Sequence, residues 1–221
     1  MKSVGARWGL ACILAGIVLS VASAQEARDI ALPPPRTDGG KPLMQALKER
    51  KSSREFSAEK IPPQVLSDLL WAAAGINRPD SGKRTAPSAM DWQEVEVYAV
   101  VEEGAYLYDA KGNVLKGVAT GDLRRLTGMQ EFVATAPLNL VFVADTTKAT
   151  RSSPEDLPIY LAADTAFISE NVYLFCASEG LATVVRGSVD RESLGPALKL
   201  PKHKKIILAQ TVGYPGRPTE E

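Results

Sequence analysis

The chain has 221 residues, 45% hydrophobic and 24% charged, with 26 basic side chains matched by 26 acidic ones. That size and composition give one domain with a substantial core and exclude a disordered chain. The charge balance excludes nucleic acid as the main partner, because neutralising phosphates needs a broadly basic surface, but it leaves room for a local basic pocket.

The N-terminus carries Lys2 and Arg7, then an apolar run from Trp8 to Val21, then Ala22-Ser23-Ala24. A positive start, an apolar middle and a small-residue site predict a signal peptide over residues 1–24, cleaved after Ala24. With no twin-arginine pair it is of the Sec type, and it predicts export, to the periplasm if the source is bacterial. The run is short of the roughly 20 apolar residues of a bilayer span, so no stable membrane span is expected after cleavage. Cleavage removes Cys12 and leaves Cys176 as the only cysteine. One cysteine makes no internal disulfide, and in its apolar stretch Cys176 reads as a small core residue. His203 is the only histidine. Zinc sites and histidine-based triads therefore have almost no material, and neither a metal nor a catalytic side chain is expected.

Residues 25–41 contain Pro33-Pro34-Pro35 and Gly39-Gly40 and predict an extended or mobile lead-in to a domain over 42–221. Pro42 to Lys51 has a helical period. Pro62-Pro63 opens a second helix with Val65, Leu66, Leu69, Leu70 and Ala73 as its apolar face and Gly75 as its stop. Residues 77–91, rich in Pro, Gly, Ser and Arg, predict a loop. Alternation predicts a strand over Glu94–Val101, and Ala105–Asp109 with Val114–Lys116 predicts a hairpin. Leu138–Val143 reads as a short strand, and Leu157–Ala182 as a long helix rich in small residues. Thr183–Val185 and Ile206–Val212 read as strands with a short helix, Arg191–Leu198, between them. Strands mixed with helices give an α+β fold class.

The run Arg50-Lys51-Ser52-Ser53-Arg54-Glu55-Phe56 packs three cations and two hydroxyls into five residues. Guanidinium, ammonium and hydroxyl donors together suit a phosphate. The plainer reading is that basic residues after a helix complement its dipole. Three further features follow in order: Gly82-Lys83-Arg84-Thr85-Ala86-Pro87-Ser88-Ala89, the small-residue helix ending in Cys176-Ala177-Ser178-Glu179-Gly180, and the C-terminal Thr211-Val212-Gly213-Tyr214-Pro215. Together the four resemble the nitroreductase family of FMN-dependent oxidoreductases. The Arg-Thr-Ala-Pro-Ser-Ala loop and the Tyr-Leu-Tyr hairpin are similar to the SagB-type dehydrogenase branch. The resemblance covers residues 40 to 217.

That resemblance implies a central sheet wrapped by helices, in an intertwined homodimer with FMN at each subunit interface. It places Arg50, Lys51, Ser52 and Arg54 at the FMN phosphate and the polar ring edge. Pro87, Ser88 and Ala89 match a segment lying against the flavin, usually from the partner subunit. Val185, Arg186 and Gly187 match the segment packing on one flavin face. Arg217 is the candidate for completing the phosphate site, with Lys205 as the alternative. Arg84 is open between cofactor ligand and exposed loop charge. Arg54 is the expected stabiliser of the reduced ring, with Arg186 as the alternative, and Arg186 could instead pair with Asp190 or Glu192. Trp71 and Trp92 read as core or interface aromatics. The expected activity is two-electron transfer between flavin and a small organic substrate, with an unidentified electron donor, since free NAD(P)H is not expected outside the cytoplasm. The alternative is a non-catalytic flavin-binding or partner-binding module that keeps the fold.

Overall fold

The structure, a computed structural model, describes residues 27–216. The expected signal peptide, its cleavage site and Arg217 lie outside the described residues. In chain order the elements are β1 (Ile30–Ala31), α1 (Leu43–Glu49), α2 (Pro63–Ala74), β2 (Ile76–Arg78), β3 (Lys83–Arg84), β4 (Val95–Val101), β5 (Gly104–Asp109), β6 (Val114–Thr120), β7 (Leu138–Asp145), α3 (Leu157–Glu179), β8 (Ala182–Arg186), α4 (Arg191–Ala197) and β9 (Lys204–Gly213). Seven strands form one antiparallel sheet in the order β1-β6-β5-β4-β7-β9-β8, with β2 and β3 as a separate small hairpin. The fold class is α+β. No helix among the described residues is long and apolar enough to cross a membrane.

The sheet is covered on both faces, and strand alternation shows how. Leu138, Leu140, Phe142 and Ala144 of β7 join Val95, Val97 and Ala99 of β4 under Leu69, Leu70, Ile168, Val172 and Cys176 of α2 and α3. The intervening residues Val141, Val143, Tyr98 and Val100 face the other way, packing with Leu194 and Leu198 at α4. Period-two side chains serve two cores at once, so every residue of β7 is buried.

Sequence expectation and structure differ at several points. The long helix stops at Glu179, not Ala182, because Gly180 takes the left-handed conformation (φ 72°) and Leu181 N–H returns to the Cys176 carbonyl. That turn releases Ala182 to start β8. The expected loop over 77–91 contains the β2–β3 hairpin and a short turn at Ala89–Asp91. β7 and β9 run longer than the sequence patterns suggest. The lead-in is extended and docked. Its Ile30 and Ala31 pair with Leu115 and Val114, and the Pro33 carbonyl accepts from Ser67 Oγ (2.6 Å) and Asn113 Nδ2 (2.8 Å). Buried Asp68 takes the Arg36 main-chain N–H at 2.7 Å and its Nε at 2.9 Å. A proline run has no N–H of its own to offer, and polar groups of α2 and the hairpin bond the Pro33 and Pro34 carbonyls.

Exposed apolar side chains gather on two helices: Leu43, Met44 and Leu47 of α1, and Ile159 and Phe167 of α3.

Replacing Asp68 with alanine removes the anchor of the lead-in. It is expected to cost about 1–2 kcal/mol of stability and to speed amide exchange at Leu32, whose N–H bonds to the Asn113 carbonyl. Unchanged exchange at Leu32 would show that the segment is held without this carboxylate.

Candidate functional site

The run at 50–56 leaves α1 and continues as an extended strip that joins β8 at Thr183 and then runs beside the segment after β9. Ser53 N–H donates to the Thr183 carbonyl (2.9 Å), Gly216 N–H to the Glu55 carbonyl (3.0 Å), and Ser57 N–H to the Tyr214 carbonyl (2.9 Å). Pinned this way, alternate side chains project to opposite sides. Lys51, Ser53 and Glu55 line a cleft of about 700 Å³ that is also walled by Tyr173, Gly180, Thr183 and Gly216. Arg50 and Ser52 gather on Tyr173 of α3. Ser52 Oγ lies 2.8 Å from the Tyr173 hydroxyl, the Val185 N–H donates to that hydroxyl at 3.0 Å, and the Arg50 guanidinium sits over the ring at 5.3 Å. The structure thus joins Arg50, Ser52 and Val185 through one side chain, with Lys51 and Arg54 exposed beside them. None of Arg50, Lys51 and Arg54 forms a salt bridge among the described residues. Cations without carboxylate partners, flanked by hydroxyls, are a donor set that fits a phosphate.

Tyr173 carries no mark in the sequence. It lies in an apolar helix where an aromatic reads as core, and it is in fact buried at 6% exposure. Only the packing of α3 under β8 gives its hydroxyl a role.

Arg186 does not form the ion pair that was the alternative to its expected place at the flavin. Asp190 caps α4 by accepting from Ser193 N–H, and no bond joins Arg186 to it or to Glu192. The Arg186 guanidinium turns inward instead. It donates to the Thr127 carbonyl (2.7 Å), Asn139 Oδ1 (2.9 Å) and Thr211 Oγ1 (2.8 Å), with the Phe132 ring 5.7 Å away. Gly128 makes room, since a β-carbon there would collide with Nη1. Burial lowers its pKa to about 10, which leaves it protonated at neutral pH. Gly187 is exposed at the end of this strand.

The second group of expected residues lies elsewhere. Arg84 is half-buried. Its Nε donates to Gln93 Oε1 and its Nη1 to the Ala74 carbonyl, both at 2.9 Å, so it ties the hairpin to the end of α2. Ala89 N–H donates to Asp164 Oδ2 (2.7 Å) and Ser88 Oγ accepts from Gln93 N–H (2.9 Å). Pro87 is exposed. Met90, Asp91 and Gln93 all take left-handed φ values of 48–56°, a concentration of strain that favourable contacts must hold in place. Asp164 lies nine residues before Tyr173 on α3, roughly 13 Å along the helix axis. Within one chain, then, Pro87, Ser88 and Ala89 stand apart from Arg50 and Ser52. Trp92 packs edge-on against Tyr160. Lys205 is exposed on β9, paired with Ala144 in the sheet.

Beneath this loop sits Glu94, fully buried, with neither carboxyl oxygen hydrogen-bonded among the described residues. Asp164 and Arg84 line the same small cavity. Burial, reinforced by the Asp164 charge and opposed by Lys148, raises its pKa from an ordinary 4.5 to about 7.

The nitroreductase family model matches residues 47–214. A crystal structure from Ralstonia eutropha JMP134, assigned as a nitroreductase, is 42% identical, with a TM-score of 0.82 over 89% of this chain and 93% of that one. A protein of Methanocaldococcus jannaschii, also assigned as a nitroreductase, is 28% identical over 75% of this chain and 88% of its own length. A Clostridium acetobutylicum structure assigned as an NADH oxidase shares the fold at 22% identity and a TM-score of 0.53, over 81% and 90% of the two chains. The chain belongs to the nitroreductase family and is a flavin-dependent oxidoreductase by class.

The raised Glu94 carboxyl has a signed consequence. A carboxyl held above its unfolded value favours folding fully below that value and loses the contribution as pH rises from about 4.5 to about 7. Glu94→Gln is therefore expected to raise the melting temperature relative to wild type at pH 8 by more than at pH 5. A difference that shrinks with rising pH would mean that the fold stabilises the ionised carboxylate.

Proposed function

We propose that this protein is an FMN-dependent oxidoreductase that acts as a homodimer and passes two electrons between flavin and a small organic substrate. The observation that carries this reading is the Arg50–Arg54 run, free of carboxylate partners and joined to Val185 by Tyr173, inside a family match over residues 47–214. Bound FMN would supply the redox chemistry itself. Arg50, Lys51 and Ser52 would hold the phosphate, and Arg54 would hold the polar ring edge and stabilise negative charge there. Val185 and Gly187 would offer backbone to one ring face. Arg217, beyond the described residues, would complete the phosphate site.

Two features support the dimer. Pro87, Ser88 and Ala89 lie apart from Arg50 and Ser52 within one chain, which suits a site whose second wall comes from a partner subunit. The apolar residues exposed on α1 and α3 suit a face that a second copy covers. The cleaved N-terminal signal and periplasmic export, and kinship with SagB-type dehydrogenases, are proposed from the sequence features described above. The electron donor in that compartment is unidentified.

The direct test is the visible spectrum of residues 25–221 after FMN is added and the excess removed. Retained flavin bands, shifted from those of free FMN, are expected, as is a dimer by light scattering. Arg50→Ala should weaken FMN binding by about 1–3 kcal/mol. A folded protein that retains no FMN would leave the partner-binding module as the better account. Bound flavin that no biological donor or acceptor turns over would favour the non-catalytic flavin-binding module.

A further inference from the structure

We infer that Tyr173 is a positioning residue that presents Ser52 and Arg50 to the phosphate monoester of the ligand. The inference rests on the flavin reading above and assigns a role to a residue outside the motif that suggested it.

Proton bookkeeping at the Tyr173 hydroxyl sets the direction of its bonds. The group has one proton and two lone pairs. The Val185 N–H occupies one lone pair at 3.0 Å. The remaining neighbour is Ser52 Oγ at 2.8 Å, and no other acceptor for Tyr173 is found among the described residues. If Ser52 were the donor, the tyrosine proton would have no protein acceptor among the described residues, in a side chain only 6% exposed. That arrangement is disfavoured by the cost of an unsatisfied buried donor. Tyr173 therefore donates to Ser52. Ser52 is exposed, so its own hydroxyl proton is free to be donated to an anion. The same ring carries the Arg50 guanidinium on its face at 5.3 Å, which limits the rotamers of a cation that has no carboxylate to hold it. One buried side chain thus orients a neutral donor and a charged donor and fastens both to the edge of β8. Preorganised donors bind an anion without first losing side-chain freedom.

The test is a double-mutant cycle on FMN binding with Tyr173→Phe, Ser52→Ala and the pair, with riboflavin, which lacks the phosphate, titrated in parallel. Tyr173→Phe is expected to weaken FMN binding on the order of tenfold while leaving riboflavin binding unchanged. In the Ser52→Ala background the tyrosine substitution should then have a clearly smaller effect. Equal losses for FMN and riboflavin, or additive losses in the cycle, would overturn the inference by making Tyr173 a packing residue. Wild-type FMN affinity in Tyr173→Phe would overturn it while leaving the flavin reading intact. Wild-type protein that binds neither flavin would overturn both. Should Tyr173→Phe fail to fold, Arg50→Gln and Ser52→Ala leave the Val185 N–H paired. Their losses should then be less than additive for FMN and absent for riboflavin, and additive losses would overturn the inference.

Discussion

The geometry of the site depends on one buried cation. Arg186 sits inside the protein with no carboxylate; its two terminal nitrogens find acceptors and its plane finds a ring, while Nε has no hydrogen-bond partner among the described residues. Those partners come from separate pieces of chain: Thr127 from the segment before β7, Asn139 from β7, Thr211 from β9 and Phe132 from the turn below. Asn139 also accepts from Thr211 (2.6 Å) and donates to the Val133 carbonyl (2.9 Å). The network fixes the end of β8, the last strand of the sheet, against β7 and β9. The proposed phosphate-binding run joins that strand through Ser53 N–H on the Thr183 carbonyl and through Tyr173 on the Val185 N–H.

From that strand the arrangement builds outward by hydrogen bonding. Backbone bonds fasten the 50–56 strip to Thr183 of β8 and to the segment after β9, and its side chains are shared between the cleft and Tyr173. Within a single chain the basic run stands apart from the strained loop above Asp164 and Glu94. In the proposed dimer a second copy of the chain would bring the two halves together around the flat ring. The apolar residues exposed on α1 and α3 belong to the same account, since α1 leads directly into the basic strip.

Much of the fold was legible in the sequence because its signals are local. Pro62-Pro63 and Gly75 bracket α2, and the alternation in β4 survives even though both faces of the sheet are covered. The basic strip was legible for the same reason: its chemistry is contiguous. Where the reading failed, the deciding partner was distant in the chain. Asp190 and Glu192 stand close to Arg186 in sequence and offered a plausible ion pair, yet its partners come from residues 127, 139 and 211. The docking of the lead-in depends on Ser67, Asp68 and Asn113, which nothing in the proline run announces. In the sequence Arg84 is open between cofactor ligand and exposed loop charge; in the fold it is a half-buried clamp on the end of α2.

By itself the sequence determined the α+β class, the order of most elements and the presence of a phosphate-suited run, because hydrophobic period, proline, glycine and clustered charge act within a few residues. Only the tertiary structure decided that Tyr173 links that run to Val185, that Arg186 faces inward, and that Glu94 is buried beside Asp164. Those outcomes depend on which segments the sheet brings together. A side chain's hydrogen-bond partners and its access to water are properties of that assembly, not of its neighbours in the chain.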